Sequence, residues 1–169
     1  APQNGKVYEG NFKDGKFLDG ANTTTNTPSP PAITTTKPAD EAGLVWFITS
    51  ASGGKYGLMD NTGKVVVAPK YKEVNDFSEG LARVKQNDKW GFIDKTGKEV
   101  IPLKYDGAES FFGGLASVNQ NGKWGFIDKT GKVVVELKYD GAGAFSEGLG
   151  RVKQNGKWGF IDKTGKVVI

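Results

Sequence analysis

Aromatic residues recur at a spacing of 34 residues along this sequence, and they are its first candidates for chemistry. Flat rings can stack on sugars, so one interpretation is a row of platforms for glycans. The alternative is packing between neighbouring units, because one Trp buries ~150–250 Å², worth about 4–6 kcal/mol at ~25 cal/mol per Å². Only 37% of the residues are hydrophobic, which favours packing. The row consists of Tyr56, Trp90, Trp124 and Trp158.

Carboxylates are the second group with possible chemistry. An Asp that opens an Asp-x-Thr-Gly turn follows each aromatic residue, at Asp60, Asp94, Asp128 and Asp162. A calcium loop gathers several oxygens within a dozen residues, whereas Lys stands beside most of these acids, so we expect turn capping. Glycoside hydrolysis needs a carboxylate pair, for which the candidates are Glu79, Glu147 and Asp106. Acids copied with a repeat are usually parts of a turn, so we predict no catalytic and no metal-binding residue.

Composition excludes several classes of function. The chain has no Cys and no His, which removes disulfides, thiolate metal sites and the usual general base near neutral pH. Its net charge is +4, but the lysines alternate with acids and form no basic run, so we predict no nucleic-acid partner. No stretch approaches the ~20 apolar residues of a membrane span. The first residues, Ala-Pro-Gln, fit a mature end left by a signal peptidase and fit a trimmed chain equally well.

The aromatic row belongs to a block of 34 residues that is copied along the chain, and each copy predicts three strands. In the second copy these are Leu81–Gln86, Lys89–Asp94 and residues 98–102. Asn-Gly at 121–122 and 155–156 is the preferred type I′ hairpin pair, and Thr-Gly supplies the next turn. The glycine after each aromatic residue predicts a close approach of a neighbouring side chain or backbone. Residues 43–169 hold four such units.

One unit is too small to bury its own apolar face, so stability must come from contact between units. Adjacent apolar residues on the third strand, such as Val100 and Ile101, predict burial on both faces of the sheet. No helical period is present. We therefore predict an all-β fold of four tandem three-stranded meanders arranged as a propeller-like or barrel-like ring. An open β-stack is the alternative arrangement.

Three domains are expected: a hairpin at 1–20, an extended Thr/Pro-rich arm at 21–42 and the repeat domain at 43–169. The arm is either a glycosylated stalk, with a sequon at Asn22, or a tether for the hairpin. Assembly contacts are predicted in the hairpin and in an exposed final strand at 166–169. Their residues are Tyr8, Phe12, Phe17, Val167 and Ile169.

One motif, Lys-Trp-Gly-Phe-Ile-Asp-Lys-Thr-Gly-Lys, occurs at 89–98, 123–132 and 157–166, and a second, Phe-Ser-Glu-Gly-Leu, occurs at 77–81 and 145–149. With these motifs the chain resembles the WG (KWG) repeat family over about 43–169. Residues 55–57, Lys-Tyr-Gly, depart from it by having Tyr for Trp. Residues 8–16 resemble a single MORN repeat. The WG resemblance implies an all-β repeat scaffold of mostly bacterial, often surface-associated proteins, with no catalytic residues to carry over.

We expect a non-enzymatic extracellular or cell-surface structural protein that self-assembles into a polymer, filament or surface layer. Its N-terminal arm would dock by strand addition on a repeat of the next subunit, which predicts a homo-oligomer or polymer. The alternative is a glycan- or peptidoglycan-binding module that uses the Trp/Tyr faces. A third possibility is an accessory domain of a larger enzyme. No cofactor is expected.

Overall fold

A computed structural model describes residues 11–13, 16–18, 31–39 and 43–169, with the backbone alone at 11–13 and 16–18. Every regular element in these residues is a β-strand, which confirms the all-β prediction. The described part of the chain contains no helix long and apolar enough to cross a membrane. Two compact units divide the chain, residues 1–76 and 77–169, and each is described by itself.

The first unit holds a hairpin and a four-stranded sheet. In the hairpin, β1 (Asn11–Lys13) pairs antiparallel with β2 (Lys16–Leu18), as the sequence predicted. The candidate contact Tyr8 and the sequon at Asn22 lie outside the described residues. The sheet has the order β3-β4-β5-β6. Its strands are β3 (Ile33–Pro38), β4 (Val45–Thr49), β5 (Tyr56–Met59) and β6 (Val65–Tyr71), and a short β7 (Glu73–Val74) follows.

Strand β3 lies within the predicted Thr/Pro-rich arm and forms the edge of this sheet. It pairs antiparallel with β4, from Ile33 opposite Thr49 to Pro38 opposite Val45. Ile33 is buried with Phe47 in one hydrophobic cluster. Residues 33–38 are therefore a strand added in cis to the first repeat. The division at 1–20, 21–42 and 43–169 stays a prediction.

The second unit holds three antiparallel sheets, one for each of repeats 2, 3 and 4. Repeat 2 has β8 (Leu81–Gln86), β9 (Lys89–Asp94) and β10 (Glu99–Tyr105), followed by β11 (Gly107–Ala108). Repeat 3 has β12 (Leu115–Gln120), β13 (Lys123–Asp128) and β14 (Val133–Tyr139), and β11 pairs with β12 at its edge. Repeat 4 has β15 (Gly141–Ser146), β16 (Leu149–Gln154) and β17 (Lys157–Asp162).

The predicted final strand at 166–169 is reduced to a partial edge. Val167 forms an isolated bridge with Ile161, and the Phe160 N–H donates to the carbonyl of Ile169 over 2.9 Å. Repeat 4 therefore has two full strands of the meander and a short third one. Within the described residues each sheet has two open edges, so no sheet closes into a barrel. The propeller-like ring stays a prediction.

The glycine after each aromatic residue makes room for the backbone of the third strand. In repeat 2, Ile101 is opposite Phe92 and the next pair is Tyr105 with Trp90, so residues 102–104 bulge opposite Gly91. A Cβ on Gly91 would lie 2.5 Å from the carbonyl oxygen of Ile101, which no side chain tolerates. The equivalent distance is 2.4 Å at Gly125 and 2.5 Å at Gly159. The predicted close approach is thus an approach of backbone.

Successive sheets of the second unit bury each other's faces, as the repeat pattern predicted. One face of repeat 3 lies in the cluster that contains Phe92 and Ile101 of repeat 2. Its other face lies in the cluster that contains Val152 and Ile161 of repeat 4. Within the second unit, repeats 3 and 4 each have an upstream face that covers the preceding repeat, and repeats 2 and 3 each have a downstream face that the following repeat covers.

Candidate functional site

The four Asp-x-Thr-Gly turns are capped by their own carboxylates. In repeat 3, Asp128 Oδ1 accepts hydrogen bonds from the Thr130 N–H (2.9 Å), the Thr130 hydroxyl (2.6 Å) and the Lys132 N–H (3.1 Å). The bond from the Thr130 hydroxyl holds the pKa of Asp128 below its ordinary value. The other three turns have the same bonds, centred on Asp60, Asp94 and Asp162. At Asp94 burial raises the pKa, and the hydrogen bonds outweigh it.

Two of the three candidate catalytic carboxylates, Glu79 and Asp106, have separate structural partners. Glu79 accepts from the N–H of Gly114 in the next repeat, at 3.1 and 3.2 Å from its two oxygens. Asp106 pairs with Lys89, and its other oxygen accepts from the Asn121 N–H over 2.8 Å. Among the described residues no group of three His, Cys, Asp or Glu could hold a metal ion.

Asp106 belongs to an ion pair that joins consecutive repeats, and the pair is repeated once. Its copy is the Lys123–Asp140 pair, at 2.7 Å, in which Asp140 also accepts from the Asn155 N–H over 3.1 Å. The lysine of the preceding repeat lowers the pKa of each Asp. Each Asp therefore ties a lysine of one repeat to the hairpin turn of the next. Sequence analysis missed this link, although the recurring Lys and Tyr-Asp-Gly carried its signal.

Apolar contacts between repeats are copied as well. Phe92 meets Phe111 edge to face at a centroid distance of 4.8 Å, and Phe126 meets Phe145 in the same way at 4.7 Å. A Cβ added to Gly131 would lie 3.3 Å from the side chain of Ile101, so the turn of one repeat also contacts the third strand of the preceding one. The downstream face of a repeat is thus covered by a Phe ring, a glycine turn and an acid.

Burial of the aromatic row decreases along the second unit. Trp90 is 8% exposed, Trp124 is half-buried and Trp158 is 49% exposed. In the first unit Tyr56 is half-buried, and Lys37 lies 5.2 Å from its ring centroid. Packing therefore accounts for Trp90 and much of Trp124, whereas Trp158 presents its indole to solvent.

Trp158 belongs to an uncovered apolar surface, which we call the terminal face, defined by Leu149, Trp158, Phe160 and Ile169. At the equivalent positions of repeats 2 and 3, the Phe is fully buried and the third-strand residue is 0% or 4% exposed. Ile169 is 78% exposed, and Leu149 and Phe160 are partly exposed. The terminal face is the downstream face of repeat 4, and none of the described residues gives it the cover that repeats 2 and 3 receive.

Polar groups beside the terminal face repeat those that hold internal repeats together. Arg83 lies 5.0 Å from the Trp90 ring, donates to the Ala108 carbonyl and pairs with Glu109 at 3.6 Å. Arg151 lies 4.2 Å from the ring of Trp158. Lys157 and Glu147 occupy the positions of Lys89 and Glu79. All three side chains are exposed, and the described residues offer none of them the inter-repeat partner that its counterpart has.

These features define a tandem β-repeat protein whose units are held by copied interfaces. The family model for the WG containing repeat matches residues 56–90, 90–124, 124–158 and 158–169. The chain therefore belongs to the WG repeat family, as its sequence motifs predicted. Domains of this family are not known as enzymes. No curated protein matches the chain.

Two of the solved structures that match are Kluyveromyces lactis Hsv2 and Kluyveromyces lactis Hsv2 complete loop 6CD. The first is 15% identical and the second 14%, both with a TM-score of 0.53 and 83% of this chain covered. The chain spans about half the length of either structure, 51% and 50% respectively. At this identity the likeness shows the fold alone.

Proposed function

We propose that this protein is a non-enzymatic structural scaffold that self-assembles by covering the terminal face of one copy with the N-terminal arm of the next. The supporting observation is the terminal face itself. Among the residues whose side chains the structure describes, four of the six exposed large hydrophobic ones lie at or next to it, namely Trp158, Val167, Val168 and Ile169. Such a cluster on one surface marks an interaction site.

Head-to-tail assembly needs a second surface, and the N-terminal arm offers it. Strand β3 already adds to the first sheet of its own chain. The hairpin β1–β2 is a short sheet with its own edges, and strand addition by this hairpin to repeat 4 of another copy would give a heterologous contact. Contacts of this kind propagate into filaments or rings.

Light scattering on the purified chain over a range of concentrations tests the proposal. We expect the mass to rise above that of one chain, and Ile169→Asp to lower it. Val133→Asp is the matched control, since Val133 is 46% exposed but lies outside the terminal face. Removal of residues 1–30 leaves β3 in place and should also give a monomer. A single-chain mass for the unaltered protein, or full assembly of Ile169→Asp, would refute the proposal.

A second candidate function is glycan binding, which the half-exposed indole of Trp158 favours. Because Trp90 is buried, a platform in the second unit would depend on Trp158, with the half-buried Trp124 as a lesser contributor. Titration with peptidoglycan fragments should then change the Trp fluorescence, and Trp158→Ala should abolish the change. No response in the unaltered protein, or the same response in the variant, would exclude this function.

The proposal places the protein outside the cell or at its surface in a bacterium, as the WG family resemblance suggests. Fractionation of cells that express the natural gene tests the location. Recovery of the protein in the soluble interior alone would contradict this part of the proposal while leaving self-assembly open to the measurement above.

A further inference from the structure

We propose that repeats 3 and 4 together form a binding site for an acidic peptide segment of a partner protein, at the turn of residues 112–114. The carboxylate of the partner binds the Gly148 N–H and the Lys163 ammonium, and an apolar neighbour of that carboxylate packs on Phe112. This inference goes beyond the proposed self-assembly, because it depends on neither the terminal face nor the N-terminal arm. It follows from a difference between the two repeat junctions of the second unit.

The junction between repeats 2 and 3 is tied by the turn Ser78-Glu79-Gly80. The Ser78 hydroxyl donates to the Phe111 carbonyl over 2.7 Å. The two carboxylate oxygens of Glu79 accept from the Gly114 N–H, at 3.2 and 3.1 Å. Gly114 belongs to the equivalent turn of repeat 3, so the turn of one repeat supplies a carboxylate to the turn of the next.

Repeat 3 lacks both of these polar side chains. Phe112 stands where repeat 2 has Ser78, and Gly113 stands where it has Glu79. The turn itself is kept, since φ is 60° at Gly113 and 53° at Glu79. Among the described residues, none supplies the Gly148 N–H with the carboxylate that its counterpart in repeat 3 receives. The junction between repeats 3 and 4 therefore has the backbone of a carboxylate site without the carboxylate.

Space and charge at this position suit a carboxylate from another molecule. A Cβ built on Gly113 would lie 3.8 Å from the Lys163 Nζ, so the ammonium lies beside the place where a glutamate side chain would begin. Lys163 is exposed, and a Cβ on Gly114 or Gly148 would meet nothing within 4 Å, so the surface around the position is open. An ammonium and a backbone N–H both form strong, charge-assisted hydrogen bonds with a carboxylate.

Phe112, which is 49% exposed, indicates an apolar part of the ligand next to its carboxylate. A peptide is favoured over an acidic sugar, because the group that fills the equivalent position between repeats 2 and 3 is the glutamate of a peptide turn. Glu147 precedes Gly148 but makes no hydrogen bond to it in the structure. Its counterpart Glu79 extends toward the following repeat, and the same direction takes Glu147 away from the site.

A peptide with the sequence of residues 77–81, Phe-Ser-Glu-Gly-Leu, is the probe. With both ends blocked, its glutamate is its only charged group. Saturation-transfer NMR detects weak binding through the peptide signals, whether or not the protein assembles. We expect the peptide to bind, and its Gln counterpart, Phe-Ser-Gln-Gly-Leu, to bind about tenfold more weakly, because the charge-assisted hydrogen bonds are lost.

Gly113→Glu tests the position of the site. This variant restores the residue that repeat 2 has, and Glu79 shows that the turn accepts it. The new carboxylate should occupy the site and abolish peptide binding, while the circular dichroism matches that of the unaltered protein. Lys163→Gln and Phe112→Ser should each weaken binding severalfold. Lys129→Gln is the matched control, since Lys129 is the exposed lysine at the same turn position of repeat 3, and it should leave binding unchanged.

Several results would overturn the site. They are unchanged peptide binding in Gly113→Glu, equal binding of the Glu and Gln peptides, and an equal loss in Lys129→Gln and Lys163→Gln, which would show a general charge effect. Failure of the Glu peptide to bind, or tighter binding of glucuronic acid than of the peptide, would overturn the peptide as the ligand. None of these results depends on the mass of the particle, so the proposed self-assembly is tested separately by light scattering.

Discussion

Tryptophans at equivalent positions of different repeats are buried to different extents, which allows a direct test of how much burial between repeats stabilises the fold. Trp90 and Trp158 occupy the same position of their repeats, and each has an Arg and a Lys near its ring. The Arg distances are 5.0 and 4.2 Å, and the Lys distances are 5.6 and 5.9 Å. Substitution by Ala removes similar cation contacts at both sites. The difference between the two variants therefore reports burial.

The magnitude follows from the exposed fractions. Trp90 is 8% exposed and Trp158 is 49% exposed, a difference of about 40% of the side chain. For a side chain of roughly 250 Å² this is ~100 Å², worth about 2.5 kcal/mol at ~25 cal/mol per Å². Trp90→Ala should lower the free energy of unfolding by about 3–5 kcal/mol, the usual range for a buried Trp. Trp158→Ala should cost about 1–2 kcal/mol, and Trp124→Ala an intermediate amount.

Urea unfolding followed by far-UV circular dichroism is the assay, at a protein concentration low enough for the chain to be monomeric. Low concentration matters because assembly would cover Trp158 and raise its apparent contribution. Equal losses for Trp90→Ala and Trp158→Ala in the monomer would refute the argument that burial by the following repeat sets the contribution of each indole. A larger loss at Trp158 would do so as well.

Three further predictions concern single contacts. Gly125→Ala should disrupt the pairing of β13 with β14, because the added Cβ would lie 2.4 Å from the Val135 carbonyl oxygen. We expect the free energy of unfolding to fall by several kcal/mol, which thermal unfolding measures. Because the pKa of Asp128 is lowered in the folded state, Asp128 stabilises the fold at pH values above 3.8, the ordinary pKa of Asp. This contribution is lost as the pH falls through 3.8 and then through the lower pKa of the folded state. Asp128→Asn removes the Asp128 charge and should flatten the pH dependence of unfolding between about pH 5 and 2 without altering its slope near pH 7, whereas Thr130→Val should flatten it less. Phe145→Leu should cost about 1 kcal/mol beyond its lost area by removing an edge-to-face ring pair, as a comparison of midpoints in urea would show.

Much of the fold could be predicted because each repeat carries the same local sequence signals for its turns and strands. Asn-Gly at 121–122 and 155–156 predicted the first turn of repeats 3 and 4, and both glycines have positive φ of 78°. Apolar residues on both faces of the third strand predicted cover from two sides; Ile101 and Val135 are buried on one face, whereas Val100 and Val134 on the other face are half-buried. The glycine after each aromatic residue predicted a close approach, and only the structure identified the bulged backbone as the approaching group.

Features that depend on the neighbours of a repeat could not be predicted from the sequence of that repeat alone. Identical Lys-Trp-Gly-Phe segments place Trp90 inside and Trp158 at the surface, because repeat 3 covers the first and no described residue gives the second the same cover. The composition of residues 21–42 predicts an extended arm, and only the structure shows that its Thr-Thr-Thr run belongs to β3, although β-branched residues favour strands. Lys89 and Asp106 pair across a junction between repeats; the recurring Lys and Tyr-Asp-Gly carried a signal of this link, but only the structure shows that the two side chains meet.

The backbone bulge opposite the glycine after each aromatic residue affects how a chain of near-identical segments can pair with itself. Such segments can pair with the wrong copy, in the same molecule or in another, and flat exposed edges invite fibrous aggregation. The third strand is an edge of its sheet in repeats 2 and 3, and there its ladder is interrupted. Pro102 and Lys104 lie exposed in the interrupted part of β10, where one lacks a donor and the other carries charge. Misregistered or amyloid-like stacking along that edge is thereby disfavoured in repeats 2 and 3.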